Sequence, residues 1–285
     1  MASFFNQATL IFGGRRANSN VTESEIVDTL SLTKTAITQS YSSDSGIVYA
    51  VSIANNGTTS AAGINLNDSL GSYELSGNTV YPLAYVGGSL KYFIDGILQP
   101  TPSVNAGPPL TISGLTIPAG SNALLIYEAR TNEFSPLAQG SSITNQINSE
   151  SESSCTALSG SATLPVSEEA IPVITKFACS DSVVCGGEIS YTFVLQNLGN
   201  TAVVATDNLL VEDVFNPILS ISAVTLDGAP LALGAGYSYN SSTGEFSTLP
   251  GVITIPAATY VQDPVTGVIT TTPGVAILTV TGTVS

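Results

Sequence analysis

The feature that most constrains this chain is that it repeats itself. Lys34-Thr35-Ala36 returns as Lys176-Phe177-Ala178, and Tyr49 and Asn55-x-Gly57 return at the same spacing as Tyr191 and Asn197-x-Gly199. Farther along, Asp68-Ser69-Leu70 answers Asp213-Val214-Phe215, and Phe93-Ile94-Asp95-Gly96 answers Thr225-Leu226-Asp227-Gly228. Ile117-Pro118-Ala119 answers Ile255-Pro256-Ala257, and Ala123-Leu124-Leu125-Ile126 answers Ala276-Ile277-Leu278-Thr279. The order is the same throughout and the first three matches share one spacing, 142 residues, which is the signature of two copies of one structural unit. The spacing widens after Pro256, so the second copy carries an insertion between Tyr260 and Thr272, predicted as a hairpin turning at Val265-Thr266-Gly267.

Each copy reads as strands. Ile47–Ile53, Leu124–Tyr127 and Ile189–Leu195 are rich in β-branched and aromatic residues. Asn56-Gly57, Asp95-Gly96 and Asp227-Gly228 are hairpin-turn dipeptides. With 26 Gly and 15 Pro a long helix has little room. The expected fold is all-β: many short strands with frequent turns read as sandwich or barrel, and the repeat makes two tandem sandwiches, residues 24–152 and 166–285, preceded by an arm, 1–23, and joined by a Ser-rich acidic linker, 153–165.

Charge narrows the function. Only 9% of residues are charged, and 6 Lys+Arg stand against 21 Asp+Glu, a net charge of −15. Such a chain repels phosphate backbones and anionic lipid, which argues against a nucleic-acid or membrane-surface partner. No stretch is long enough to insert in a bilayer as a helix. The absence of His and Trp removes the commonest general base and the aromatic platform of a carbohydrate cleft, so no enzyme, cofactor or metal is expected. Glu23/Glu25/Asp28, Glu150/Glu152, Glu168/Glu169 and Glu212/Asp213 match no dedicated calcium loop and read as solvated faces. Met1-Ala2-Ser3-Phe4-Phe5-Asn6 lacks the pattern of a signal peptide. Either a leader has been replaced or the protein reaches its destination without one, as by lysis of a spore-forming mother cell.

The run Lys-Thr-Ala, Tyr-x-Val-x-Ile-x-Asn-x-Gly, Asp-x-Leu, Ile-Pro-Ala-Gly, closing on Thr144-Asn145-Gln146, resembles the conserved-repeat β-sandwich domain of prokaryotic surface proteins. The resemblance implies tandem immunoglobulin-like domains on an extracellular, cell or spore surface, and no catalytic residues.

Aligned end to end, the copies differ. The first runs on to Ser142-Ile143-Thr144-Asn145-Gln146-Ile147-Asn148, the closing strand of the resembled family, whereas the second reaches Ala276–Gly282 and then has only Thr283-Val284-Ser285. A candidate replacement lies in the arm, at Phe5-Asn6-Gln7-Ala8-Thr9-Leu10-Ile11-Phe12, where Asn-Gln-Ala echoes Asn145-Gln146-Ile147. Alternation puts Ala8, Leu10 and Phe12 on one face and Gln7 and Thr9 on the other. The expected acceptor is an open edge at Ala276, Ile277, Leu278, Thr279 and Val280. If the donor comes from another copy, contacts run head to tail and build a homopolymeric filament. The arm could also complete its own second domain, or be an ordinary first strand. A monomeric surface adhesin with an unknown host or surface ligand is the alternative function.

Cys179 and Cys185 are expected to staple a hairpin, and Cys155 is a candidate inter-subunit cysteine. In sandwich pilins of Gram-positive bacteria a first-strand Lys and a last-strand Asn can form an isopeptide bond promoted by a carboxylate. Lys34 with Asn145 and Asp68, and Lys176 with an incoming Asn6 and Asp213, fit that arrangement; solvated, snorkelling lysines are the plainer reading.

Overall fold

The computed structural model describes residues 2–26, 29–150, 158–179 and 182–284. Apart from a 3-10 turn at Ala205–Asp207, their regular structure is β throughout, and they divide into two units: residues 1–135 with 142–165, and residues 136–141 with 166–285.

The first unit begins with the arm. Strands β1 (Ala2–Asn6), β2 (Thr9–Phe12), β3 (Arg15–Asn18) and β4 (Thr22–Ile26) form one folded-back ribbon, β1 paired with β4 and β2 with β3. It reverses at Gly13-Gly14, both at positive φ as a two-residue hairpin turn with right-handed twist requires. Gln7-Ala8 face three residues, Ser19-Asn20-Val21, so the returning strand carries a bulge. Ser19 holds it there: its N–H donates to the Ala8 carbonyl at 2.8 Å, and its Oγ accepts from the Ala8 N–H at 3.0 Å. All residues from Phe5 to Ser24 are exposed.

The sandwich follows as β5 (Leu30–Ala36), β6 (Gly46–Asn55), β7 (Ala61–Asp68), β8 (Tyr73–Leu75), β9 (Asn78–Val80), β10 (Leu83–Tyr85), β11 (Lys91–Ile94), β12 (Ile97–Gln99), β13 (Ser103–Asn105), β14 (Leu110–Ile117), β15 (Asn122–Thr131), β16 (Ser142–Glu150) and β17 (Ser159–Pro165). One sheet has the order β12-β11-β15-β6-β5, with β10 on β15; the other has β13-β14-β7-β16-β17. Period-two alternation turns Ile47, Tyr49, Val51 and Ile53 of β6 inward with Leu125 and Tyr127 of β15, and Leu66, Ile112 and Ile147 of the other sheet are equally buried. Each such aliphatic side chain contributes about 2 kcal/mol on burial.

The second unit contains β18 (Pro172–Ala178), β19 (Glu188–Asn197), β20 (Glu212–Val214), β21 (Leu219–Leu226), β22 (Ala229–Pro230), β23 (Tyr237–Tyr239), β24 (Glu245–Thr248), β25 (Thr259–Gln262), β26 (Ile269–Thr272) and β27 (Gly274–Val284). Its sheets are β18-β19-β27-β21-β22 and β20-β24-β23, around a core that includes Phe193, Leu195, Phe215, Phe246, Leu278 and Val280. The inserted hairpin is β25–β26, its turn tied by Asp263 Oδ1 to the Val265 and Thr266 N–H groups at 2.8 Å.

Four expectations are corrected. Ala276–Val280 is no edge: β27 pairs with β19 on one side and β21 on the other, and Ala276, Leu278 and Val280 are fully buried. The terminal strands of the two sheets are β18 and β22, and β20 and β23. The edge that the first unit covers with its closing strand is that of β20, because in this topology the closing strand belongs beside the counterpart of β7 and not beside the strand that precedes it. Ser159–Pro165, read as linker, is β17, paired with β16 from Ser142↔Pro165 to Asn148↔Ser159. Asn56-Gly57 is not a hairpin turn, since β6 and β7 lie in different sheets. There Asn55 is the structural residue, its Nδ2 donating to the Thr59, Ile117 and Pro118 carbonyls, as Asn197 does to those of Thr201 and Pro256. Finally, Cys179 and Cys185 are exposed free thiols and not a disulfide. Cys179 extends the β18 ladder through its N–H to the Ser190 carbonyl, whereas Cys185 and Gly186 form a turn whose Gly186 N–H donates to the Val284 carbonyl. Cys155 lies outside the described residues.

Candidate functional site: a lysine–aspartate pair in each unit

In the first unit Lys34 on β5 points between the sheets. Its side chain is fully buried, and its Nζ donates to Asp68 Oδ2 at 2.6 Å. The Asp68 carboxylate also accepts from the Tyr127 hydroxyl and, through Oδ1, from the Leu70 N–H at 2.9 Å. The ammonium lies 4.6 Å from the Tyr49 ring centroid and 5.8 Å from that of Tyr127, and the two rings stack at 5.6 Å. Burial drags Lys34 down from 10.5 to about 8, although the Asp68 charge and hydrogen bond pull the other way. Burial, and then the charge of Asp68, push the Tyr49 and Tyr127 phenols up.

Asn145 belongs to the same chamber. Register places β16 alongside β7 with Ile147 opposite Asp68, and alternation turns Ile143, Asn145 and Ile147 inward. Asn145 is fully buried. Its Oδ1 accepts from the Gly71 N–H at 3.1 Å and the Ser69 hydroxyl at 3.3 Å, while its Nδ2, beside the Tyr49 and Tyr127 hydroxyls, has no partner in good hydrogen-bond geometry. An unsatisfied buried amide N–H group costs about 1–3 kcal/mol, so its retention calls for a reason. Gly71 is required here: its φ is +71°, and a Cβ would sit 2.6 Å from Ile143 Cγ2. β17 closes the chamber over β5, with Gly160 so near that a Cβ there would lie 3.0 Å from the Lys34 backbone N.

The arrangement has a specific chemical capability. It holds an amine that deprotonates readily, a carboxylate to carry a proton, and a carboxamide whose oxygen already faces two donors, as an oxyanion would need. Its amide nitrogen, which would be the leaving group, faces the Tyr49 and Tyr127 hydroxyls.

The second unit repeats half of this. Lys176 on β18 pairs with Asp213 on β20, and its Nζ lies 4.5, 5.3 and 5.4 Å from the centroids of Tyr191, Phe215 and Phe193. The pair is accessible, the side chains being 39% and 18% exposed. Cross-strand register makes the correspondence strict, with Tyr49 opposite Tyr127 and Tyr191 opposite Val280. Leu32 and Lys34 are buried in the first unit, whereas the matching Ile174 is 56% exposed and β18 is exposed along its whole length. Among the described residues no strand of this unit takes the places of β16 and β17.

The structure thus brings Lys34, Asp68 and Asn145 together and pairs Lys176 with Asp213, while Asn6 lies in the exposed arm. The sequence reading missed Tyr127, Ser69 and Gly71, which contact Asp68 or Asn145. An inward-facing Tyr on an apolar strand and a Gly three residues after the repeated Asp were the available signals. It also missed the returning half of the arm, whose Arg15-Arg16 and Thr22–Ile26 are too polar to read as strands.

No family model matches the chain, and no curated protein does. Solved structures with a similar course include the pilus backbone RRGB of Streptococcus pneumoniae (10% identity, TM-score 0.35), covering 86% of this chain, which spans 55% of that one. The major pilin BcpA of Bacillus cereus is 12% identical over 95% of this chain and 73% of its own, with a TM-score of 0.35. The C-terminal fragment of the major pilin GBS80 of Streptococcus agalactiae is 12% identical over 78% and 79%, again at 0.35. At these identities and scores the likeness carries no argument about function.

Proposed function

We propose that this protein is a structural subunit of an extracellular filament, assembled head to tail by seating the arm of one copy in the open second unit of the next. The observation that carries this reading is the bare edge of β20 and the uncovered face of β18, where the first unit has β16 paired on β7 and β17 packed over β5. Among the described residues the second unit has no counterpart of these two strands, and the arm is a ribbon of two strands. It exposes Phe5, Leu10, Ile11 and Phe12 at 60–84%, apolar surface that a free ribbon has no reason to keep. Charge is complementary as well. The arm tip carries Arg15 and Arg16, and Lys176 is the only basic residue of the second unit among ten acidic ones. Strand addition satisfies unpaired edges, and a heterologous contact of this kind propagates unless it closes into a ring.

In the same reading the first unit is locked by its own chamber. Lys34 Nζ attacks Asn145 Cγ, Asp68 takes the proton from the attacking nitrogen and hands it to the departing one, and ammonia leaves. Lys34 and Asn145 are then joined by an amide. Gly71 and Ser69 hold the oxyanion.

Deleting residues 1–26 tests assembly. The truncated chain is expected to stay folded by circular dichroism and to form no filaments by electron microscopy, where the full chain does. Filaments of unchanged form without the arm, or a full chain that stays monomeric at millimolar concentration, would overturn the reading and favour the monomeric adhesin.

A further inference from the structure

The geometry points to a covalent filament: Lys176 of one copy forms an amide with Asn6 of the next. This rests on the proposed strand insertion and specifies the chemistry of the junction. The accessible Lys176–Asp213 pair is the first-unit chamber with its carboxamide removed. Both lysines lie over the aromatic ring at the repeated tyrosine, 4.6 Å from Tyr49 and 4.5 Å from Tyr191. Among the described residues Lys176 has Asp213 and three aromatic rings about it but no carboxamide.

Register supplies the missing group. In the first unit Ile147 lies opposite Asp68, and Asn145, two residues earlier, faces inward. Transposed to the bare edge of β20, Ala8 of the incoming arm lies opposite Asp213 and Thr9 opposite Glu212. Asn6 then takes the place of Asn145, on the face shared by Ala8, Leu10 and Phe12. A slip of one residue would turn Asn6 and all three apolar side chains outward, so the burial that seats the arm also aims the carboxamide.

The step balances as it does in the first unit. The Lys176 Nζ–Asn6 Cγ bond forms, the Asn6 Cγ–Nδ2 bond breaks, and Asp213 relays the proton from the attacking amine to the ammonia that leaves. No oxidant or co-reactant is needed. The junction is less well equipped, because Val214 stands where Ser69 donates and Val280 where Tyr127 does. Losing one oxyanion donor slows acyl transfer about 10²–10³-fold. The intermolecular bond is therefore expected to form after the intramolecular one, and after docking.

The test uses filaments of the full chain, boiled in detergent with reductant to exclude disulfides and separated by electrophoresis. The expected result is a ladder of multimers, with a peptide pair joining Lys176 to Asn6 and lighter by one ammonia. Asn6→Ala and Lys176→Arg are expected to give filaments of normal appearance that dissolve to single chains, and the same loss in both guards against one variant that fails to dock. Wild-type filaments that dissolve to single chains overturn the covalent proposal and leave insertion standing. A ladder that survives in both variants overturns it too. A wild-type chain that forms no filaments removes the insertion reading and this one with it.

Discussion

The two units are the same sandwich at two stages of completion. Leu32 and Lys34 of the first are sealed beneath β16 and β17, whereas Ile174 and Lys176 of the second, at matching places on β18, face solvent. The difference shows that burial, and not residue identity, sets what the lysine can do. In the sealed chamber desolvation lowers Lys34 to about 8 and readies it to act as a nucleophile. In the second unit Lys176 pairs with Asp213 in an accessible site and, in the proposed filament, receives the arm of the next copy as its cover.

Supplying that cover within one chain should erase the difference. A variant lacking its own arm, with residues 2–26 joined after Ser285 through a flexible Gly/Ser linker, is expected to be a monomer by sedimentation. Burying Ala8, Leu10 and Phe12 adds about 5 kcal/mol or more. The melting of the second unit should then rise by roughly 10–20 °C. A fused chain that still polymerises would show that the arm is not the cover.

The converse change opens the first unit. Asn145→Ala is expected to keep the wild-type fold and to retain the full mass calculated from the sequence, whereas the wild type is lighter by one ammonia. A crosslink spanning Lys34 to Asn145 constrains the unfolded chain by about 4–5 kcal/mol on the loop-closure scale. The first transition in calorimetry should fall by roughly 10 °C or more. Equal masses for the two proteins, after allowing for the substitution, would remove the intramolecular bond.

A smaller effect appears on titrating that variant, in which the Lys34 amine stays free. Its folded value, about 8, lies below its unfolded 10.5, so between them the unfolded chain binds a proton that the folded chain does not. Stability of the first unit therefore rises with pH across that window, by at most about 3 kcal/mol. Tyr41, Tyr49, Tyr92 and Tyr127 are all pushed up from 10.0 by burial, so above that pH the unfolded phenols ionise first and stability falls. A maximum near pH 10 is the signature, read from melting temperatures between pH 7 and 11. A monotonic fall from pH 7 would mean that Lys34 is not held in a desolvated site.

What was legible in the sequence was local. Asp95-Gly96 and Asp227-Gly228 turn their hairpins, and the inserted β25–β26 pair announced itself through a break in spacing. Pairing partners were not legible. The neighbours of β27 are far away in the chain, so the open edge was placed on a central strand. Ser159–Pro165 hid as linker because Ser, Gly and Ala cover most of it; only the alternation of Ala162, Leu164 and Val166 marks its buried face. Lys34, Asp68 and Asn145 were named from the repeat and a resemblance, but their shared chamber depends on two sheets facing each other, which no local pattern encodes.

The bare edge on β20 has one more consequence. In the proposed filament each copy gives one arm and receives one at β20, so a row of such subunits keeps an unused arm at one tip and an unused Lys176–Asp213 pair at the other. Such a row would be directional, with an apolar ribbon at one tip and a primary amine beside a carboxylate at the other.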